Sequence, residues 1–256
     1  MEQRFTFDEV AALYNPARPE YPQALCDDIV SAAGLKPDDA VLDVGCGTGQ
    51  ATKLFAPLGF RILAMDPGPE LISVARESLA EFANVAYAVS TFEAWSSKPA
   101  AFRLIIAAQS WHWVAPEIRF AKASEALSPD GYLAVFGNVP VGLPAPLLDA
   151  FRETYLRYTG AWGPPPEAWY LASGPFKAWF DESGYFAPVI HKSYPWTWRH
   201  TAASYTDFLR TRSDYRLLAP KQQEELRAAI AEAIAAYGGQ FDMPYEAHLY
   251  MARRAA

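Results

Sequence analysis

Cysteine is scarce: the 256 residues contain only Cys26 and Cys46. Two thiols without a CxxC partner exclude a disulfide framework, and no metal site is expected. Positive charge is also short, with 22 Lys+Arg against 29 Asp+Glu and a formal net charge of −7. That balance disfavours a protein built to neutralise nucleic-acid phosphates. Long hydrophobic runs are missing. Residues 104–108, Leu-Ile-Ile-Ala-Ala, form one of the longest, far below the roughly 18 residues a membrane span needs. The start, Met-Glu-Gln-Arg-Phe-Thr-Phe-Asp, has no apolar stretch of the signal-peptide kind. Internal repeats and low-complexity segments are absent too. The expectation is a cytoplasmic protein with no membrane or nucleic-acid partner, monomeric or homodimeric.

What the chain has in quantity is apolar and aromatic residues, 51% and 14%, enough for a large core and too much for a disordered chain. The length suits one large domain or one domain with an elaborated cap. The first 35 residues read as helical, broken at Pro16, Pro19 and Pro22. From residue 36 an α/β rhythm begins. Short apolar runs at 40–44, 60–65, 85–89, 102–108 and 132–136 read as strands, and 50–58, 69–82 and 116–127 as helices. This alternation predicts a mostly parallel, Rossmann-like α/β sheet with helices on both faces. Its ligands belong at the carboxyl ends of the strands, near a topological switch point.

Composition changes after Gly137. Seven prolines fall between residues 137 and 175, and 14 of the 37 aromatic residues fall in 151–200. A linker would be polar, so residues 138–240 read mainly as a substrate-selecting cap with one late strand near 185–198. Helices are expected at 176–183, 201–210 and 220–237, and a last strand with its tail at 241–256, centred on 245–251.

The most informative segment is Val41-Leu42-Asp43-Val44-Gly45-Cys46-Gly47-Thr48-Gly49. A strand ends, the chain turns on glycines, and a helix opens whose first N–H groups have no partner within it. A dinucleotide site would read G-x-G-x-x-G/A, but position 50 is Gln and the third glycine comes one residue early. Asp43, two residues before the loop, would repel a pyrophosphate and attract an amine. An NAD-dependent oxidoreductase is therefore the weaker alternative.

This segment resembles motif I of class I S-adenosylmethionine-dependent methyltransferases, and the resemblance runs through residues 36–137. It implies S-adenosylmethionine as cofactor, held by Asp43, Gly45, Cys46, Gly47 and Gly49. Asp66, 17 residues after Gly49, matches the acidic residue that holds the ribose hydroxyls, with Pro67 beside it. Thr91 and Phe92 occupy the adenine-contacting position, where many relatives carry Gly-Asp-Ala. The flanks, Tyr14-Asn15-Pro16-Ala17-Arg18-Pro19-Glu20-Tyr21-Pro22 and Gln109-Ser110-Trp111-His112-Trp113, resemble a small-molecule subgroup that includes trans-aconitate methyltransferase-like proteins. With Pro195-Trp196-Thr197-Trp198-Arg199-His200 the likeness covers most of the chain.

The resemblance implies methyl transfer to a small-molecule acceptor, with O-methylation of a carboxylate or hydroxyl as the leading expectation. A non-catalytic S-adenosylmethionine-binding protein is the second alternative. Residues 1–35 are expected to close as a lid, Tyr14 meeting the methionine end of the cofactor, Arg18 its carboxylate, and Gln109 either that end or a substrate group. His112 is the candidate base, weighed against a bracing role between two tryptophans. Tyr21, Trp111, Trp113, Trp196 and Arg199 are candidate acceptor contacts. A carboxylate acceptor would need a guanidinium clamp, for which Arg199, Arg210, Arg212 and Arg216 are available; a solvated helix face is the competing reading. His191 and His248 are expected to be structural, and His200 to lie near the cap. The position after the fourth strand reads Ala107-Ala108-Gln109-Ser110 in place of the Asn/Asp-Pro-Pro-aromatic motif of amino-methylating DNA enzymes.

Overall fold

Five apolar runs form parallel strands in the computed structural model, which describes Asp8 and residues 18–96, 98–163 and 166–255. They are β1 (Ala40–Val44), β2 (Arg61–Asp66), β3 (Val85–Val89), β4 (Phe102–Ala108) and β5 (Leu127–Pro140). Two more strands, β6 (Ile190–Thr201) and β7 (Gln240–Arg253), complete a seven-stranded sheet of order β3-β2-β1-β4-β5-β7-β6. Only β7 runs against its neighbours β5 and β6. The expected mostly parallel, Rossmann-like sheet is what forms.

Alternate residues of the central strands enter opposite cores, because side chains on a pleated strand alternate faces. Val41, Leu104, Ile106, Ala134 and Phe136 pack on one side with α1 (Gln23–Ala33) and α2 (Gln50–Phe55). Leu42, Ile105, Leu133 and Val135 pack on the other, with Phe120 of α4 (Pro116–Ala126) and Phe176 and Phe180 of α6 (Phe176–Ser183). The remaining early helix, α3 (Pro69–Ser78), follows β2. The chain winds outward from β1 to β3, then returns to lay β4 on the other side of β1. The switch point is thus the gap between the carboxyl ends of β1 and β4, where ligands of such sheets bind.

Several expected boundaries move. The helix expected over 50–58 closes as a 3₁₀ turn at Ala56–Leu58, where Pro57 cannot continue an α-helix. The one expected over 69–82 stops at Ser78. β5 and β7 are longer than their apolar centres because they pair with each other from Tyr132↔Arg253 to Pro140↔Tyr245. β6 begins at Ile190 and pairs with β7 through Thr201↔Gln240.

The expected lid and cap also divide differently. Of residues 1–35, α1 belongs to the core: Leu25, Cys26 and Ile29 are fully buried. Residues 1–7 and 9–17, Tyr14 among them, lie outside the described residues. After Pro140, α6 joins the sheet core, whereas α5 (Ala145–Thr159), α7 (Ala202–Arg210) and α9 (Pro220–Tyr237) enclose a third cluster around Phe151, Tyr205, Leu226 and Ile230. A single turn, α8 (Ser213–Arg216), links α7 to α9. Among the described residues no helix is long and apolar enough to cross a membrane.

Candidate active site

A cavity of about 390 Å³ lies at the switch point, between the loops after β1, β2, β3 and β4 on one side and the segments around residues 167–170 and 212–214 on the other. The loop after β1 forms its floor. Gly45 has φ +70°, and a Cβ there would stand 2.4 Å from Ser110 Cβ, so glycine is demanded by both backbone and space. Ser110 is fixed in turn: its Oγ donates to the Val44 carbonyl at 2.5 Å. Gly49, at φ +93°, turns the chain into α2.

The loop spends four of its N–H groups within the protein. Gly45 and Cys46 donate to the Met65 carbonyl at 2.8 and 3.0 Å, and Gly49 to the Cys46 carbonyl at 2.9 Å. Gly47 donates to Asp66 Oδ2 at 3.0 Å, while Asp66 Oδ1 accepts from Gly68 N at 2.9 Å. Asp66 is therefore held by one N–H per oxygen and lines the cavity. Burial pushes its carboxyl up to about 6 against the pull of those two donors.

Asp43 lies beneath the loop and off the cavity wall. It is fully buried, accepts a 2.6 Å hydrogen bond from Thr52 Oγ1 on Oδ2, and has no partner on Oδ1. Burial pushes it up to about 7, with Thr52 opposing. Asp43 thus braces α2 through Thr52, and the expected contact to an amine is not among the cavity-lining positions. Cys46 is buried against Ala64 and Ile72, and it too is off the wall, as is Gly49.

The chain leaves β4 through a strained residue. Gln109 has φ +54°, uncommon for a residue with a side chain. Its N–H reaches the Phe136 carbonyl at 2.8 Å, and its Oε1 accepts from Tyr21 OH at 3.3 Å. That turn places the 3₁₀ segment Trp111–Trp113 with His112 and Trp113 on the wall and Trp111 in the core against Phe92 and Phe120. His112 Nδ1 meets Tyr170 OH at 3.3 Å. Its ring is surrounded by Trp113, Trp169 and Tyr170, at centroid distances of 4.7, 5.9 and 6.0 Å. Burial, aided by the Arg119 charge, lowers its pKa to about 4, so the imidazole is neutral at pH 7.

The opposite wall carries an ion-pair cluster. Arg212 Nε and Nη2 meet Asp214 Oδ1 and Oδ2 at 3.1 and 3.0 Å, and Arg212 Nη1 meets Glu167 Oε1 at 3.3 Å. Burial opposes the charge of Arg212, but the two carboxylates outweigh it and hold the group protonated. Arg18 is also on the wall; its Nη2 donates to the Thr211 carbonyl at 2.5 Å, and both guanidiniums lie near the Phe208 ring.

Of the expected site residues, the cavity thus brings together Gly45, Gly47, Asp66, Pro67, Thr91, Phe92, Gln109, His112, Trp113 and Arg18. Four expected acceptor contacts lie off the cavity wall. Trp111 is core, and Tyr21 supports Gln109 from behind the wall. Trp196 donates to buried Asn138, which itself reaches the Glu20 carbonyl. Arg199 pairs across strands with Asp242 on the exposed sheet edge. Of the four clamp candidates only Arg212 lines the cavity; Arg210 and Arg216 border a separate hollow on the cap. Glu167, Trp169, Tyr170 and Asp214 went unpredicted, although Trp169 and Tyr170 stand in the proline-rich aromatic segment.

Residues 41–131 match the family model described as a methyltransferase domain. An uncharacterized methyltransferase of Mycobacterium tuberculosis is 29% identical over 137 residues, 54% of this chain and 54% of that protein. A ubiquinone biosynthesis O-methyltransferase of Methylocella silvestris is 32% identical over 167 residues, 60% of this chain and 64% of that protein. The chain spans about half the length of the curated relatives it matches first. Among solved structures, a protein of Anaeromyxobacter dehalogenans described as a type II methyltransferase superposes with a TM-score of 0.66 at 23% identity, over 92% of this chain and 97% of that one. That likeness is one of fold.

Proposed function

We propose that this chain is an S-adenosylmethionine-dependent methyltransferase for a small-molecule acceptor, with O-methylation favoured. The observation that carries this reading is the pairing of a loop that spends the N–H groups of Gly45, Cys46, Gly47 and Gly49 within the protein with a buried Asp66 on the cavity wall. A pyrophosphate needs free N–H donors and is repelled by a carboxylate. A ribose diol needs acceptors, which the remaining lone pairs of Asp66 supply. NAD carries such a diol too, so it is the poor fit to a pyrophosphate that favours S-adenosylmethionine over NAD. The match to a methyltransferase domain over residues 41–131 supports the same reading.

When bound, S-adenosylmethionine supplies a methyl group already activated on a sulfonium, so no protein nucleophile is required. The chain's own residues bind, orient and exclude water. Asp66 holds the ribose, Thr91 and Phe92 border the adenine, and Arg18 meets the methionine carboxylate. His112, neutral and hydrogen-bonded to Tyr170, orients the acceptor more readily than it removes a proton. Trp113, Trp169 and Tyr170 dry the site, which strengthens every polar contact inside it. The likeness to trans-aconitate methyltransferase-like proteins rests on residues 14–22 and 109–113.

Calorimetry with S-adenosylhomocysteine and NAD tests the reading. A hydrogen bond to a charged group contributes about 1.5–3 kcal/mol, so Asp66→Ala is expected to weaken S-adenosylhomocysteine binding roughly 10- to 150-fold. Arg18→Ala weakens it too. Binding of NAD with none of S-adenosylhomocysteine would overturn the assignment. Binding without turnover on any acceptor would leave a non-catalytic binder.

A further inference from the structure

Arg119 of α4 is a buried cation that the reading above leaves unused. It is only 3% exposed, its Nε has no hydrogen-bond partner, and no carboxylate meets its guanidinium among the described residues. Its neighbours are the rings of Trp179 and Phe120, with centroids 4.2 and 5.2 Å from the guanidinium carbon. A buried charge without a counter-ion is costly, so nearby dipoles turn their negative ends toward it. Its charge acts on two cavity residues, favouring the ionised phenol of Tyr170 and the neutral ring of His112.

Tyr170 is held in place. Its ring lies over Gly137, where a Cβ would stand 2.8 Å from it, and its carbonyl accepts from Tyr250 OH at 3.1 Å. Among the described residues its hydroxyl meets one polar atom, His112 Nδ1, at 3.3 Å. If Nδ1 carried the ring proton, the phenol proton would be left without an acceptor on a residue only 1% exposed, which is unfavourable. If Tyr170 donates, its lone pairs remain available to the Arg119 field and no donor is orphaned. A neutral imidazole then carries its proton on Nε2, on a ring that lines the cavity. Glu167 and Tyr21 act on Tyr170 in the sense opposite to Arg119, but among the described residues neither is hydrogen-bonded to its hydroxyl.

We infer that Arg119 and Tyr170 are positioning residues that together hold His112 as the Nε2–H tautomer, a hydrogen-bond donor offered to the cavity. On the methyltransferase reading it is the donor that meets the acceptor; the tautomer itself does not depend on that reading.

Nuclear magnetic resonance of the full chain tests this. The chain has 4 histidines; with their rings labelled with nitrogen-15, long-range proton–nitrogen spectra report each tautomer, and His112→Asn identifies the His112 signals. At pH 7 the wild type is expected to show Nε2 protonated and Nδ1 bare. Tyr170→Phe is expected to bring the two nitrogens toward averaged shifts. Arg119→Met, with Arg119→Gln as a second uncharged replacement, is expected to weaken the preference and raise the His112 pKa by roughly half to one unit. Arg119→Lys should restore both. A wild-type ring protonated on Nδ1 overturns the proposal, and that measurement needs no variant. An unchanged tautomer in Tyr170→Phe, or an unchanged tautomer and pKa without the Arg119 charge, overturns it for that residue. Failure of the methyltransferase reading shows separately, as absent S-adenosylhomocysteine binding in calorimetry, and leaves the tautomer measurement decisive.

Discussion

Replacing Gly45 with alanine perturbs two terms that can be measured apart. The backbone term comes from φ +70°, which costs a residue with a Cβ about 1–2 kcal/mol. The steric term comes from the Ser110 Cβ, 2.4 Å from the new methyl group. Rotating the Ser110 side chain moves its Oγ and not that Cβ, so overpacking adds about 1–3 kcal/mol. Gly45→Ala is therefore expected to destabilise the chain by roughly 2–5 kcal/mol in total. Urea unfolding of Gly45→Ala, Ser110→Gly, Ser110→Ala and both double variants reads the terms. Ser110→Gly removes the clashing Cβ, so it should recover the steric part, a coupling of about 1–3 kcal/mol. Ser110→Ala keeps that Cβ and should recover little. Equal coupling to both replacements, or a Gly45→Ala cost below about 1 kcal/mol, would show that close packing at Ser110 does not enforce the glycine.

The folded-state pKa of Asp43 is raised to about 7 by burial, so its stabilising contribution is present at low pH and lost as pH rises from the unfolded value toward 7. The unfolding free energy of Asp43→Asn minus that of the wild type should therefore shift in the variant's favour between pH 4 and 7, by on the order of a few kcal/mol; a difference independent of pH contradicts this. His112, lowered to about 4, should give no acid limb near pH 6.5 in kcat/KM; such a limb, abolished by His112→Asn, would show that the ring is solvated. Asp8 Oδ1 accepts from Glu70 N and Leu71 N at 2.8 and 3.0 Å, capping α3 from a distant segment. Asp8→Ala should cost about 1 kcal/mol in urea unfolding, with Asp8→Asn recovering most of it; no loss in either would mean the cap is absent in solution.

The glycine loop, the first five strands and Asp66 were legible because each is a local pattern. A buried parallel strand is a short apolar run, and a strand–glycine–helix junction is contiguous. Asp66 follows from its distance along the same unit. The lengths of β5, β6 and β7 were not legible, since each is set by a partner far away in the chain: Tyr132 lies opposite Arg253, and Thr201 opposite Gln240. Arg199 and Arg212 look alike in the sequence. One is spent on the exposed sheet edge with Asp242, and the other is locked between Glu167 and Asp214 on the cavity wall.

The sequence by itself determined the sheet's parallel half and the glycine turn at its switch point, because those depend on neighbours within about one βαβ unit. Only the tertiary structure decided which arginine, which tryptophans and which carboxylates line the cavity. Residues 112, 167–170 and 212–214 converge through the packing of the cap helices against β5–β7, and no local periodicity encodes that convergence.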